Sequence, residues 1–149
     1  MSLARWLYRG GRPNRLASIV NRGTAAVYAL GLFPNYLVSF EVVGHRSGRV
    51  FRLPMVMAIV EGQLFLVSML GENVDWVRNV RAAGRRAVLR HGRREEVRLE
   101  EVPVELRAPV LKAYLKRAPG ARPHVPVHKD APLSEFERIA AQIPVFRVI

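Results

Sequence analysis

The chain has 149 residues, half of them hydrophobic, and one domain with a single sizeable core is the simplest reading of that length and composition. It has no cysteine, which excludes disulfides, thiolate metal sites and a cysteine nucleophile and fits a reducing, cytoplasmic compartment. With 24 Lys and Arg against 12 Asp and Glu, the formal charge is +12, and an anionic partner is expected: nucleic acid, anionic lipid, or a phosphorylated or polycarboxylate small molecule.

The N-terminus, Met1 to Asn14, is too broken by arginine, glycine and proline for a signal peptide. The most apolar stretch, Thr24 to Phe33, has about half the length that spans a bilayer. Leu16, Ile19, Val20, Val27 and Leu30 fall at helical spacing, so one or two helices are expected within a segment 1–33 that packs on the rest or lies peripheral to it. Arg5, Arg9, Arg12, Arg15 and Arg22 beside Trp6, Leu7 and Tyr8 suit either a solvated helix face or peripheral contact with a membrane.

After Pro34 the pattern changes to β-branched and aromatic runs. Tyr36 to Val43 reads as a strand and Val50 to Val60 as a second, in which Pro54 demands an edge or a bulge. Glu61-Gly62 is a tight turn into a third strand, Gln63 to Met69, making a hairpin. Asn73 caps a short helix, Val74 to Ala83, with Val77, Val80 and Ala83 on its core face, Arg78 and Arg81 solvated, and Gly84 as its stop. Strands Ala87 to His91 and Arg93 to Val102 form a second hairpin about Gly92 with one wet face. Val104 to Arg117 reads as a helix whose start Pro109 shifts inward, and 118–126 as an irregular proline-rich loop. Ser134 with Glu137 forms a capping box for a last helix, and Ile143 to Ile149 closes the chain as a strand. These elements predict an α+β fold: a small barrel or curled, mostly antiparallel sheet with N-terminal, central and C-terminal helices.

The turn Gly44-His45-Arg46-Ser47-Gly48 can aim backbone N–H groups, a guanidinium and a hydroxyl at one anion, although an ordinary hairpin turn with solvated arginine has the same spacing. It is followed by Arg52 to Val56, by Val67-Ser68-Met69 at a strand end, and by Trp76-Val77-Arg78-Asn79. In that order these segments resemble the deazaflavin-dependent nitroreductase family, the A group of flavin/deazaflavin oxidoreductases, over residues 40 to 102, and Ile143-Pro144-Val145-Phe146 resembles a family ending.

The resemblance implies a split β-barrel that binds coenzyme F420, whose tail carries a phosphodiester and glutamates. It implies that His45, Arg46 and Ser47 hold the tail phosphate and that Arg52, Leu53, Pro54, Met55 and Val56 run beside the cofactor. Val67, Ser68 and Met69 would lie along the ring, with Trp76 and Asn79 completing the site. Packing alone also accounts for Trp76, and local backbone bonding for Ser68. The implied activity is hydride transfer from the reduced deazaflavin to a conjugated apolar acceptor such as a quinone, enone or nitroaromatic, beside Phe51, Met55, Met57 and Met69, with Ser68 and Tyr114 as catalytic candidates.

The sequence departs from the family pattern where His45 replaces a basic residue, where Val56 replaces a tyrosine of the best-known members, and where the interval from Ser68 to Trp76 is shorter. Their tyrosine-rich substrate wall is also absent, with Phe136 in its place. FMN is the alternative cofactor, and a storage module without turnover the alternative function. No metal site is expected: among His45, His91, His124 and His128 no pair has a His-x-x-x-His helix context with a third ligand, since His124 and His128 flank Pro126, and no nucleic-acid motif accompanies the arginines. A homodimer is a further expectation from the superfamily.

Overall fold

The computed structural model describes residues 37–44, 48–82 and 84–149. The expected N-terminal helices and segment 1–33, with its membrane-contact reading, lie outside them, as do Tyr36, Ala83 and the turn residues His45, Arg46 and Ser47.

Seven strands form one antiparallel sheet: β1 (Leu37–Val43), β2 (Val50–Val56), β3 (Ala58–Val60), β4 (Gln63–Val67), β5 (Arg86–His91), β6 (Arg93–Glu101) and β7 (Val145–Val148). Their spatial order is β2-β1-β5-β6-β7-β4-β3. The two ends of that order, β2 and β3, are separated in the chain by Met57 alone, so the sheet curls until its edges belong to one segment. The single strand expected from Val50 to Val60 is therefore two, broken at a buried Met57 where the chain changes partner from β1 to β4. Alternation survives the break: Met55 and Met57 pack into one core, Val56 and Ala58 into the other. Pro54, opposite Ser39, sits on a strand whose ladder partner is β1 alone, which suits a residue without an N–H.

The β3–β4 hairpin closes as the sequence indicates, with Glu61 at φ 51° and Gly62 at φ 77°. Two consecutive left-handed residues are the type I′ geometry that matches strand twist. The strand expected to run from Gln63 to Met69 is β4 and ends at Val67, leaving Ser68 and Met69 in the connection to the next helix.

Three α-helices are described: α1 (Asp75–Ala82), α2 (Ala108–Arg117) and α3 (Leu133–Ile139). Val77 and Val80 of α1 are fully buried against Phe40, Leu66, Leu99 and Phe146 inside the barrel. The other core lies between the outward residues Phe65, Val67 and Val145 and the helices, which contribute Leu111, Leu115 and Phe136. Helix α1 starts two residues beyond Asn73, and it is the Val74 carbonyl that accepts from the Arg78 N–H at 3.3 Å. Its other end follows the expected rule: Gly84 has φ 68°, and the Arg85 N–H reaches back to the Val80 carbonyl at 2.9 Å.

Two local expectations are overturned. Ser134 is not a cap, because α3 begins at Leu133 with Pro132 in the capping position and no side-chain bond there. The proline-rich stretch is not irregular either: Pro119–His124 is a 3-10 helix with Ala121 buried, since proline's restricted φ suits that geometry. The segment from Val104 to Arg117 divides into a 3-10 turn, Val104–Leu106, and α2, with Pro109 in the first turn of α2 as its missing N–H requires.

Arg81, expected as a solvated residue, bridges elements instead. Its guanidinium donates to both carboxylate oxygens of Glu101 at 3.0 and 2.7 Å and to Glu72 at 2.8 Å. Bonding to Arg81 holds the Glu101 carboxyl below its ordinary value of 4.5. A carboxylate depressed in the folded state stabilises fully above its unfolded value, and that contribution is lost as pH falls through the folded value. Melting temperatures of the wild type and Glu101→Gln are therefore expected to converge on acidification below about pH 4.5, with the wild type higher near neutrality. Parallel curves would remove Glu101 from the acid response.

Candidate cofactor site

The turn between β1 and β2 is closed at its base by two backbone bonds, Gly44 N–H to the Arg49 carbonyl at 2.6 Å and Gly48 N–H to the Gly44 carbonyl at 3.0 Å. Gly48 has φ 70°, a conformation that favours glycine, and a Cβ there would meet nothing within 4 Å. Arg52 projects from β2 on the sheet's outer face, its side chain 58% exposed, and its Nε donates to Glu41 Oε1 at 2.8 Å. Arg90 reaches the same oxygen at 3.4 Å. Leu53, Pro54, Met55 and Val56 are all half-buried along this edge strand.

From the end of β4, the Ser68 N–H donates to the Pro144 carbonyl at 2.9 Å, prolonging the pairing with the segment that leads into β7. The Ser68 hydroxyl, buried, donates to the Gly71 carbonyl at 2.6 Å, and the Gly71 N–H returns to the Ser68 carbonyl at 3.1 Å. Gly71 has φ 93°, and a Cβ there would meet the Gln142 carbonyl at 3.3 Å, so the turn requires glycine. This closed turn delivers the chain from β4 to α1 and carries Met69 between them.

Trp76 is half-buried on α1, its ring edge-on to Phe40 at 5.5 Å and tilted against Phe146 at 5.7 Å. Asn79, one turn further, is buried. Met55 and Trp76 thus join the barrel core, whereas Val56, Val67, Met69 and Tyr114 of α2 join the helical core. Of the residues singled out from β2, Arg52, Leu53 and Pro54 belong to neither core; Tyr114 is buried from the helical side.

Local patterns in the sequence missed the residues that hold this region together. Glu72 and Glu101 clamp Arg81 of α1, and Arg107 is buried between the end of β6 and the chain before β7. Glu101 lies twenty residues from Arg81, and Ala140 and Ile143 more than thirty from Arg107, and composition alone carries no sign of such pairs. Among the described residues no cluster of three potential metal ligands occurs, and no helix is long and apolar enough to cross a membrane.

A curled antiparallel sheet closed through a kinked strand, with helices over one face and a glycine-bounded basic turn at one end, is the split β-barrel of the flavin and deazaflavin oxidoreductases. A structure described as a domain-swapped dimer superimposes with a TM-score of 0.54 at 19% identity, over 88% of this chain and 91% of its own. An F420-H2-dependent reductase, FDR-A, gives 0.53 at 19% identity, over 77% of this chain and 95% of its own. A conserved hypothetical protein, Rv2991, from Mycobacterium tuberculosis gives 0.54 at 16% identity, over 83% and 78%. No curated protein matches the sequence. Residues 15–125 match the family model of the F420H(2)-dependent quinone reductases, and the chain belongs to that family. It is an F420-dependent reductase, with coenzyme F420 as its cofactor.

Proposed function

We propose that this enzyme passes a hydride from reduced F420 to a conjugated apolar acceptor, a quinone, enone or nitroaromatic, held beside β2 and the β4 exit. The observation that carries the reading is the edge strand β2, half-buried from Leu53 to Val56, with Met55 on its barrel side and Val56, like Met69 of the β4 exit, on its helical side; it starts a few residues from the open, left-handed Gly48 turn. Apolar side chains suit a planar ring system, and a glycine turn in a chain of net charge +12 suits an anionic tail. These residues fit the cofactor. When bound, F420 supplies the hydride from a ring carbon.

The chain's own contribution is orientation and exclusion of water. In this reading Arg46, Ser47 and His45 grip the tail phosphate, and Arg52, tethered by Glu41, adds positive charge along its path. Val67, Ser68 and Met69 line the ring, with Asn79 and Trp76 behind it on α1. The Ser68 O–H is committed to Gly71, so Ser68 positions Met69 and offers lone pairs rather than a proton. Tyr114 is the candidate proton donor. Val56, where related enzymes carry tyrosine, widens the acceptor side and favours bulkier apolar acceptors. Homodimeric assembly is supported by the domain-swapped dimer to which the fold is similar.

Fluorescence titration with F420 and with FMN, on the wild type and on an Arg46→Ala, Ser47→Ala double variant, tests the cofactor half. Loss of two charge-assisted contacts is expected to weaken F420 binding at least tenfold, to order of magnitude. A double variant that binds F420 as the parent does would refute the turn assignment. Steady oxidation of reduced F420 by a quinone or enone tests the acceptor half; binding without turnover would make the protein a store of cofactor instead.

A further inference from the structure

The turn that carries Met69 belongs to a ring of polar contacts that closes on itself. Glu72 directly follows the turn, and its carboxylate accepts from Arg81 Nη1 of α1 at 2.8 Å. Arg81 also donates to both oxygens of Glu101 at the end of β6, and Glu101 accepts from the buried Arg107 at 3.3 Å. Arg107 Nη1 in turn holds the carbonyls of Ala140 and Ile143. The chain there leads back to the turn: the Pro144 carbonyl accepts from the Ser68 N–H at 2.9 Å, and the Gln142 carbonyl stands 3.3 Å from where a Cβ on Gly71 would lie. Carboxylate and guanidinium alternate around the ring, so each charge in it faces one of opposite sign.

Stability does not explain the exposed half of this ring. The Arg81 and Glu72 side chains are 36% and 44% exposed, and an ion pair so placed contributes little to folding, because water solvates both charges when they part. Placement does explain it. The bonds inside the turn, from the Ser68 hydroxyl to the Gly71 carbonyl and from the Gly71 N–H to the Ser68 carbonyl, fix its shape. The Glu72–Arg81 bond fixes where that shape sits relative to α1, the helix that carries Trp76 and Asn79. Arg81 is itself held by both oxygens of Glu101, so it acts as a fixed post rather than a mobile surface charge. Hydride transfer calls for such a post, because a misplacement of about 1 Å between reacting groups can cost on the order of a hundredfold in rate.

We propose that Glu72 is a positioning residue for hydride transfer: through Arg81 it sets the Ser68–Gly71 turn, and Met69 with it, against α1. The proposal rests on the reading that Met69 lies beside the reacting ring. Glu72→Ala should leave the melting temperature within about 4 °C of the wild type, since only an exposed pair is lost. Amide exchange of the Ser68 N–H, followed in the full chain without F420, is expected to quicken about tenfold or more, while amides of the β5–β6 hairpin about Gly92 keep the wild-type rate. With F420 affinity within about threefold of the wild type, kcat for oxidation of reduced F420 by a quinone should fall about tenfold or more. Glu72→Gln, which keeps an oxygen for Arg81, should recover most of both losses, and Glu72→Ala should cost nothing further in an Arg81→Ala background. Wild-type exchange at Ser68 in Glu72→Ala, or an undiminished kcat despite faster exchange, overturns the proposal, as do losses that add in the double variant. A wild type that binds F420 but passes its hydride to no quinone or enone refutes the acceptor reading, and the proposal falls with it; the exchange rates, read without cofactor or acceptor, tell that failure from a failure of the tether.

Discussion

Arg107→Met is expected to lower the unfolding free energy by about 3–5 kcal/mol, the range for removing one partner from a buried charged network. The Arg107 Nε donates to the Val102 carbonyl at 2.8 Å, and Nη1 donates to the carbonyls of Ala140 and Ile143 at 3.0 and 3.3 Å. Nη2 reaches Glu101 at 3.3 Å. One side chain, 4% exposed, therefore satisfies three backbone acceptors from segments that are more than thirty residues apart, and links them to the Glu101–Arg81 bridge on α1. Methionine fills much of the volume and supplies no donor, so the carbonyls would be left buried and unpaired. Lysine keeps the charge but lacks the planar fork, and Arg107→Lys should recover only part of the loss. Urea unfolding read as a lower midpoint at unchanged slope measures it. A loss below about 1 kcal/mol would mean that water replaces the guanidinium.

Trp76→Ala is expected to destabilise by about 3 kcal/mol, toward the low end of the range for deleting a large aromatic because the side chain is only half-buried. Its ring closes the barrel over Phe40 and Phe146, both fully buried, in the edge-on and tilted arrangements that favour aromatic pairs. Truncation would wet that end of the barrel core. The alanine variant cannot by itself separate packing from cofactor binding, and Trp76→Phe can, since it keeps an aromatic ring on the same two partners. The phenylalanine variant should melt close to the wild type and bind F420 more weakly. Equal F420 affinity in the two proteins would reduce Trp76 to a packing role.

Much of the site region was legible because its rules are local. The Glu61-Gly62 turn, the Gly84 stop of α1 and the edge position of Pro54 each follow from backbone geometry that a few adjacent residues decide. The resemblance carried by Gly44 to Gly48, Arg52 to Val56, Ser68 and Trp76 with Asn79 led to the family that the match over residues 15–125 shows. Where local signals competed, they failed. Ser134 and Glu137 have a capping pattern, but with Pro132 in the capping position the helix starts two residues earlier, and prolines in 118–126 make a 3-10 helix look like irregular loop.

Ser68 marks the boundary between the two kinds of information. By sequence it was a strand-end hydroxyl with two open roles; the fold commits its proton to Gly71 and its N–H to Pro144. By itself, then, the sequence determined the family, the basic glycine-bounded turn and most of the strands, because these depend on residue type and short spacing. Only the tertiary structure decided the break at Met57, where one strand joins both edges of the sheet, and the bridges from Arg81 and Arg107. Those rest on contacts between segments far apart in the chain, which no local pattern encodes.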